Sequence, residues 1–221
     1  MRRLILIIGL LAVGACAQIT FVQAQSGNNG AGPVQLSLTQ TSGDSLLVMG
    51  GDESQTITPT DTLSDTFTAI ASFQGGLTKA QAFLANSIAG GANTITCNET
   101  AVNHQRCTVI EMSGGTFSLD KTAHGSATST NLSTGSVTTT AAAEMIAAFG
   151  MGLASSTMSA STPWTIPANG ATDGGAIEYQ IASSTGTFSG AMTAASSYDW
   201  TMLLVTLATG SPGVTMVPRH H

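Results

Sequence analysis

The chain has 221 residues, 42% of them apolar and only 8% charged, with 6 Lys and Arg against 12 Asp and Glu for a net charge of −6. Globular proteins typically carry about 25% charged residues, so the surface here must be built from Ser, Thr, Asn, Gln and Gly. Scarce, unclustered cations exclude a nucleic-acid partner bound through its phosphates, and the apolar content is enough to offset the ordering entropy that keeps polar, Gly-rich chains disordered.

Arg2 and Arg3 precede an uncharged apolar run, Leu4 to Ala15, followed by small residues. A basic start, a short apolar core and a small-residue exit have the form of an export signal. The run falls short of the about 20 residues that cross a bilayer. Three outcomes are open: release after Ala24, giving a signal peptide over 1–24; lipidation at Cys16 within the lipobox-like Val13-Gly14-Ala15-Cys16; or retention as an anchor. Export places the rest of the chain in a secreted, periplasmic or cell-surface location. Loss of Arg2 and Arg3 takes its net charge from −6 to −8. Membrane contact follows only from lipidation at Cys16 or an uncleaved signal.

Residues 25–32 read as a flexible Ser/Asn/Gly linker, so a single domain is expected over 33–209. Val34, Leu36 and Leu38 alternate with polar residues as in a half-buried strand. Ser45 to Gly50 is a continuous apolar run, a strand buried on both faces, and 51–64 is a long polar loop. Asp65 to Ile70 alternates again, and Ala80 to Ala85 reads as strand over a single helical turn. Asn93 to Cys97 and Arg106 to Glu111 are β-prone segments around a polar 98–105, which predicts a hairpin with Cys97 opposite Cys107 in disulfide reach. An oxidising compartment favours that bond; with His104 the set is an incomplete zinc site.

From Asp120 to Thr140 the chain is nearly all small and polar, β-prone only at its end. Residues 141–153 carry helix formers, but Gly150 and Gly152 interrupt them and the segment reads as a buried strand. A loop over 155–175 holds Trp164. Strands are expected again at Ala176 to Ile181 and Asp199 to Leu207, then a loose tail over 210–221 ending in His220 and His221. Many short strands with turn signals between them and almost no helix predict an all-β fold, a single antiparallel β-sandwich.

Five motifs, in order, carry a resemblance: Asp44-Ser45-Leu46-Leu47-Val48, the Ile88 to Cys97 turn and strand, Ile110-Glu111-Met112-Ser113-Gly114, Ser136-Val137-Thr138-Thr139-Thr140, and a closing strand that starts at Trp200. In these the chain resembles concanavalin A-like jelly-roll modules of exported bacterial and phage surface proteins. Met112 stands where that group usually has an aromatic residue. The resemblance implies a jelly roll and no particular activity, because the architecture hosts lectins, hydrolases and inert modules alike.

Candidate sites are few. Glu111 and Glu178 are strand carboxylates that could face one concave surface, as glycoside hydrolysis requires at about 5–9.5 Å separation; the clustered carboxylates of jelly-roll glucanases are absent. No Gly-x-Ser-x-Gly elbow accompanies His104 or His124. Asp52, Glu53, Asp61 and Asp65 are oxygen ligands in search of calcium, at spacings that match no EF-hand loop; no cofactor is expected otherwise. Trp164 and Tyr179 are the candidates for stacking on a sugar ring, whereas Trp200 reads as core. The leading expectation is a non-enzymatic, exported, adhesion-like sandwich for surface interaction or assembly, whose partners are polysaccharide, other surface proteins or itself. The alternatives are a carbohydrate-binding module through Trp164 and Tyr179, and a glycosidase using Glu111 and Glu178.

Overall fold

The period-2 alternation of the sequence becomes sheet almost everywhere. A computed structural model describes residues 18–30, 32–53, 55–99 and 104–210, and no helix occurs among them. In chain order the strands are β1 (Thr20–Asn29), β2 (Val34–Gln40), β3 (Ser45–Asp52), β4 (Ile57–Asp61), β5 (Thr68–Gly75), β6 (Thr78–Asn86), β7 (Gly91–Glu99) and β8 (Gln105–Ser113). They continue with β9 (Phe117–Ser133), β10 (Val137–Thr138), β11 (Glu144–Gly152), β12 (Met158–Ala160), β13 (Ala171–Thr172), β14 (Gly175–Ala182), β15 (Thr187–Phe188) and β16 (Ala191–Thr209).

One sheet has the order β1-β8-β3-β6-β5, and a second has β12-β16-β11-β14-β13 with β9 alongside β16. A small sheet, β2-β7-β4, and a ribbon, β10-β15, complete the set. All pairings are antiparallel. The first and second sheets face each other as a β-sandwich: Leu47, Met49, Ile110 and Met112 meet Met145, Phe149, Leu203 and Val205. The other face of the first sheet, with Leu46, Val48 and Val109, lies under Val34, Leu36, Ile57 and Ile95 of the small sheet. The other face of the second sheet, with Ile146, Ala148, Met202 and Leu204, lies under Trp164, Ile166 and Phe188.

This layering explains the two runs that lack alternation. β3 and β11 are buried at every position, because a strand covered on both faces needs apolar residues throughout. It also fixes Gly51, where a Cβ would stand 1.9 Å from the Lys79 carbonyl oxygen and 2.4 Å from Met151 Sδ.

Several expectations are corrected. Residues 25–29 of the expected linker are strand: β1 runs from Thr20 to Asn29 and pairs with β8 along its length, so sheet structure begins ahead of Pro33. Gln25, Ser26 and Gly27 are half-buried against β8, and their polar, small composition carries no apolar alternation to read. The signal segment through residue 17, Cys16 within it, and the tail over 211–221 lie outside the described residues. The loop expected at 51–64 contains β4, and the one at 155–175 contains β12 and β13. The polar stretch from Asp120 belongs to β9, a 17-residue strand held by β16.

The cysteine hairpin is also corrected. β7 and β8 lie in different sheets: Cys97 pairs with Val34 and Pro59, and Cys107 with Gly27 and Gly50. The Cys97–Cys107 disulfide spans a Cα–Cα distance of 6.5 Å and staples the small sheet onto the first sheet. Both cysteines are fully buried between those layers. Closing a loop of 10 residues is worth about 2–3 kcal/mol. A Cys97→Ala, Cys107→Ala double variant is therefore expected to melt about 5–10 °C lower, at roughly 2–4 °C per kcal/mol for a chain of this size. Unchanged melting would show that the layers hold each other without the staple.

Candidate functional site: a hydroxyl face on the small sheet

Strand alternation splits the small sheet into two chemically different sides. Val34, Leu36, Ile57, Ile95 and Cys97 turn inward and are buried. Outward stand Gln35, Ser37 and Thr39 on β2, Ala92, Thr94, Thr96 and Asn98 on β7, and Thr58 and Thr60 on β4. Register aligns them in rows: Gln35, Thr96 and Thr60 form one, and Ser37 sits beside Thr94 in the next. Alternate residues along a strand repeat at about 6.7 Å and strands at about 4.8 Å, so the hydroxyls and amides form a regular array. The Ser37 and Thr94 hydroxyls lie 3.4 Å apart, and Asn98 Nδ2 donates to Thr60 Oγ1 at 3.1 Å. A shallow, open depression of about 540 Å³ lies on this side, lined by Ser37, Leu38, Thr39, Ala92, Asn93 and Thr94. None of these outward or lining residues is charged or aromatic.

A largely part-buried polar network lies at one end of the array. Asn93 Nδ2 donates to Gln40 Oε1 (2.7 Å) and to Asp61 Oδ2 (2.8 Å), while its Oδ1 accepts from Thr62 N and Oγ1. Gln40 Nε2 donates to Asp65 Oδ2 (2.7 Å), and Asp65 Oδ1 accepts from Ala89 N. Satisfied networks of this kind rigidify a structure. They also consume Asp61 and Asp65, two of the four acids considered for calcium. Asp52 is fully buried at the end of β3, and Glu53 pairs with His104 at 2.9 Å. No group of three or more potential metal ligands gathers among the described residues.

The two glutamates do not converge. Glu111 lies on the face of the first sheet that turns toward β2, where it accepts from Gln23 Nε2 (2.5 Å) and Thr41 N (2.6 Å). Glu178 lies on the opposite face of the second sheet, where it accepts from Ala191 N (2.8 Å). Both are fully buried. The sandwich interior separates them, and sheets stack about 10 Å apart, so the spacing of a glycosidase pair is not met. Trp164 is buried at 8% exposure, with Nε1 donating to Ser189 O, and Tyr179 is half-buried and stacked on Phe21 at 4.6 Å. Burial closes the Trp164 ring to a sugar, and Phe21 takes one face of Tyr179.

Sequence reasoning did not single out Asp44, Asp120, Glu144 or Arg106, and it did not foresee how burial shifts Glu178. Partial burial, and then the neighbouring Glu111, push Asp44 upward. Burial raises Glu144, and the nearby Asp120 charge adds to it. Burial also acts to raise Asp120, but donors on Thr140 and Lys121 outweigh it and hold the group at about 2. Asp120 accepts from both the amide and the hydroxyl of Thr140, tying β9 to the turn before β11. Burial takes Glu178 up to about 8 against the single bond from Ala191. Arg106, 3% exposed, donates to the carbonyls of Asp173 and His104 at one end of the sandwich. These groups tie strands and loops together; the contacts of Asp120 with Thr140, of Glu178 with Ala191 and of Arg106 with Asp173 join residues distant in sequence, which spacing does not signal.

No known protein family, curated protein or solved structure matches this chain. The functional reading therefore rests on the molecule's own chemistry.

Proposed function

We propose that the chain is an exported surface-interaction module whose small-sheet face holds an uncharged, polyhydroxylated polymer, a neutral polysaccharide. The observation that carries this reading is the outward array on β2, β7 and β4: hydroxyls and amides at regular spacing, no charge, and a polar network at one end. A charged polymer would find no counter-charge there. A neutral one exchanges hydrogen bonds to water for hydrogen bonds to donors and acceptors already in position, so little ordering cost is added on binding. Without aromatic stacking each contact is weak, and affinity must come from many contacts along an extended chain. The form of the N-terminal segment, the disulfide and the resemblance to exported jelly-roll modules support the same setting.

Self-assembly by strand addition is less favoured at the β4 edge of this sheet. That strand is five residues long and carries Pro59, both devices that discourage edge pairing.

Sedimentation with insoluble neutral polysaccharides tests the reading. The protein is expected to co-sediment with at least one of cellulose, chitin or a mixed β-glucan, and short soluble fragments are expected to compete poorly. A Thr94→Glu, Thr96→Glu variant puts charge in the centre of the array and is expected to lower the bound fraction at least tenfold. Its melting temperature should stay within a few degrees, since both side chains are partly exposed. Undiminished binding by that variant would remove this face from the account.

A further inference from the structure

The fold bears on where the N-terminal segment is cut. We propose that it is removed by hydrolysis of the Ala17–Gln18 bond, and not after Ala24 or by lipidation at Cys16; this inference rests on the export reading above. Residues 19–24 belong to the sandwich. Ile19 is 2% exposed and Ala24 7%, both within the central apolar cluster. Phe21 stacks on Tyr179 of β14, and Gln23 donates to the buried Glu111. Thr20, Phe21, Gln23 and Ala24 all pair with β8. Gln18 is exposed, and only its backbone approaches the fold: its carbonyl oxygen lies 2.5 Å from where a Cβ on Gly114 would stand, and Gly114 has φ +113°. A cut after Ala24 would discard half of β1 and leave the β8 edge open.

The sequence offers an exit that spares all of this. Ala15-Cys16-Ala17 puts small residues at −3 and −1 of the Ala17–Gln18 bond, the pattern that signal peptidases accept. Lipidation at Cys16 leaves only three residues before the buried Ile19, a reach of at most about 11 Å. That would press the sandwich edge into the lipid headgroups. In the proposed step a membrane-bound signal peptidase adds water across the amide. The C–N bond breaks, hydroxyl goes to the Ala17 carbonyl carbon and a proton to the Gln18 nitrogen.

Intact-mass and N-terminal peptide spectrometry of the full-length gene product, expressed in a bacterial secretion host and fractionated, tests this. The expected species begins at Gln18, with or without loss of ammonia by cyclisation of that glutamine. Ala17→Leu is expected to cut the processed fraction at least tenfold, while Cys16→Ser and Val22→Leu leave the new terminus at Gln18. An exported product that begins at Gln25, or at a lipidated Cys16, overturns the inference and leaves the export reading standing. An intact Met1 chain in the cytoplasm overturns both.

Discussion

A chain that begins at Gln25 is expected to melt about 10–20 °C below one that begins at Gln18. The shorter chain lacks Ile19, whose burial is worth about 1.5–3 kcal/mol, and Phe21, whose partial burial against Tyr179 adds a similar order. It also lacks Gln23, which leaves Glu111 buried with one donor fewer, a loss of about 1–3 kcal/mol. Together these are on the order of 5 kcal/mol, comparable with the whole stability of a marginal domain, and each kcal/mol moves the midpoint by about 2–4 °C. Parallel thermal melts of the two purified chains measure it. A difference below about 3 °C would mean that β1 is a passenger on the sheet and not part of its core.

The second large effect is a fall in stability as pH rises through neutrality, carried by Glu178. The folded chain keeps its proton up to about 8, because burial disfavours the charged form more than the Ala191 amide favours it. The unfolded chain releases that proton near the ordinary value of 4.5. Between those two values the folded state binds more protons, so stability is fully present below about 4.5. It is then lost as pH rises toward 8, by up to about 1.4 kcal/mol per pH unit. Glu178→Gln keeps an oxygen for the Ala191 amide and removes the titration. Wild-type melting temperature is expected to drop between pH 5 and pH 8, and the variant's to stay nearly flat, so that the gap between them closes or reverses at the alkaline end. Parallel slopes would place the ionised carboxylate comfortably in the folded protein. Asp120 acts in the opposite sense and in a separate window, since donors from Thr140 hold it at about 2. Its contribution is present above about 3.8 and lost as pH falls toward 2.

Legibility followed the strength of local patterning. Alternating Val34, Leu36 and Leu38 on β2, and the unbroken apolar runs of β3 and β11, announced their strands and even their burial on two faces. β11 defeated its own helix-forming Ala, Glu and Met because a strand there is paired on both sides, by β14 and β16. β1 and β9 were illegible for the reverse reason. Their side chains are mostly small and polar, and their stability comes from partners distant in sequence, β8 for one and β16 for the other. The Cys97–Cys107 bond was readable from spacing and compartment, but its role as a staple between layers was not. A 10-residue separation fits a hairpin and a crossover between sheets equally well.

The same logic applies to the sites. Glu111 and Glu178 drew attention because they are isolated acids inside strands, and they are in fact buried, hydrogen-bonded and on opposite outer faces. Trp164 drew attention as an aromatic in a loop, yet its ring closes the outer face of the second sheet. The hydroxyl array escaped notice because it has no motif. Gln35, Ser37 and Thr39 become neighbours of Thr96, Thr94 and Ala92 only through strand register.

Mapping the polysaccharide contact onto the folded chain tests the central claim most directly. With the isotope-labelled protein and a soluble neutral polysaccharide long enough to span the sheet, amide shifts in solution NMR should cluster on Ser37, Thr39, Thr94, Thr96 and Thr60, and should vanish for Thr94→Glu, Thr96→Glu. Shifts concentrated on any other face, or persisting at full size in that variant, would contradict it.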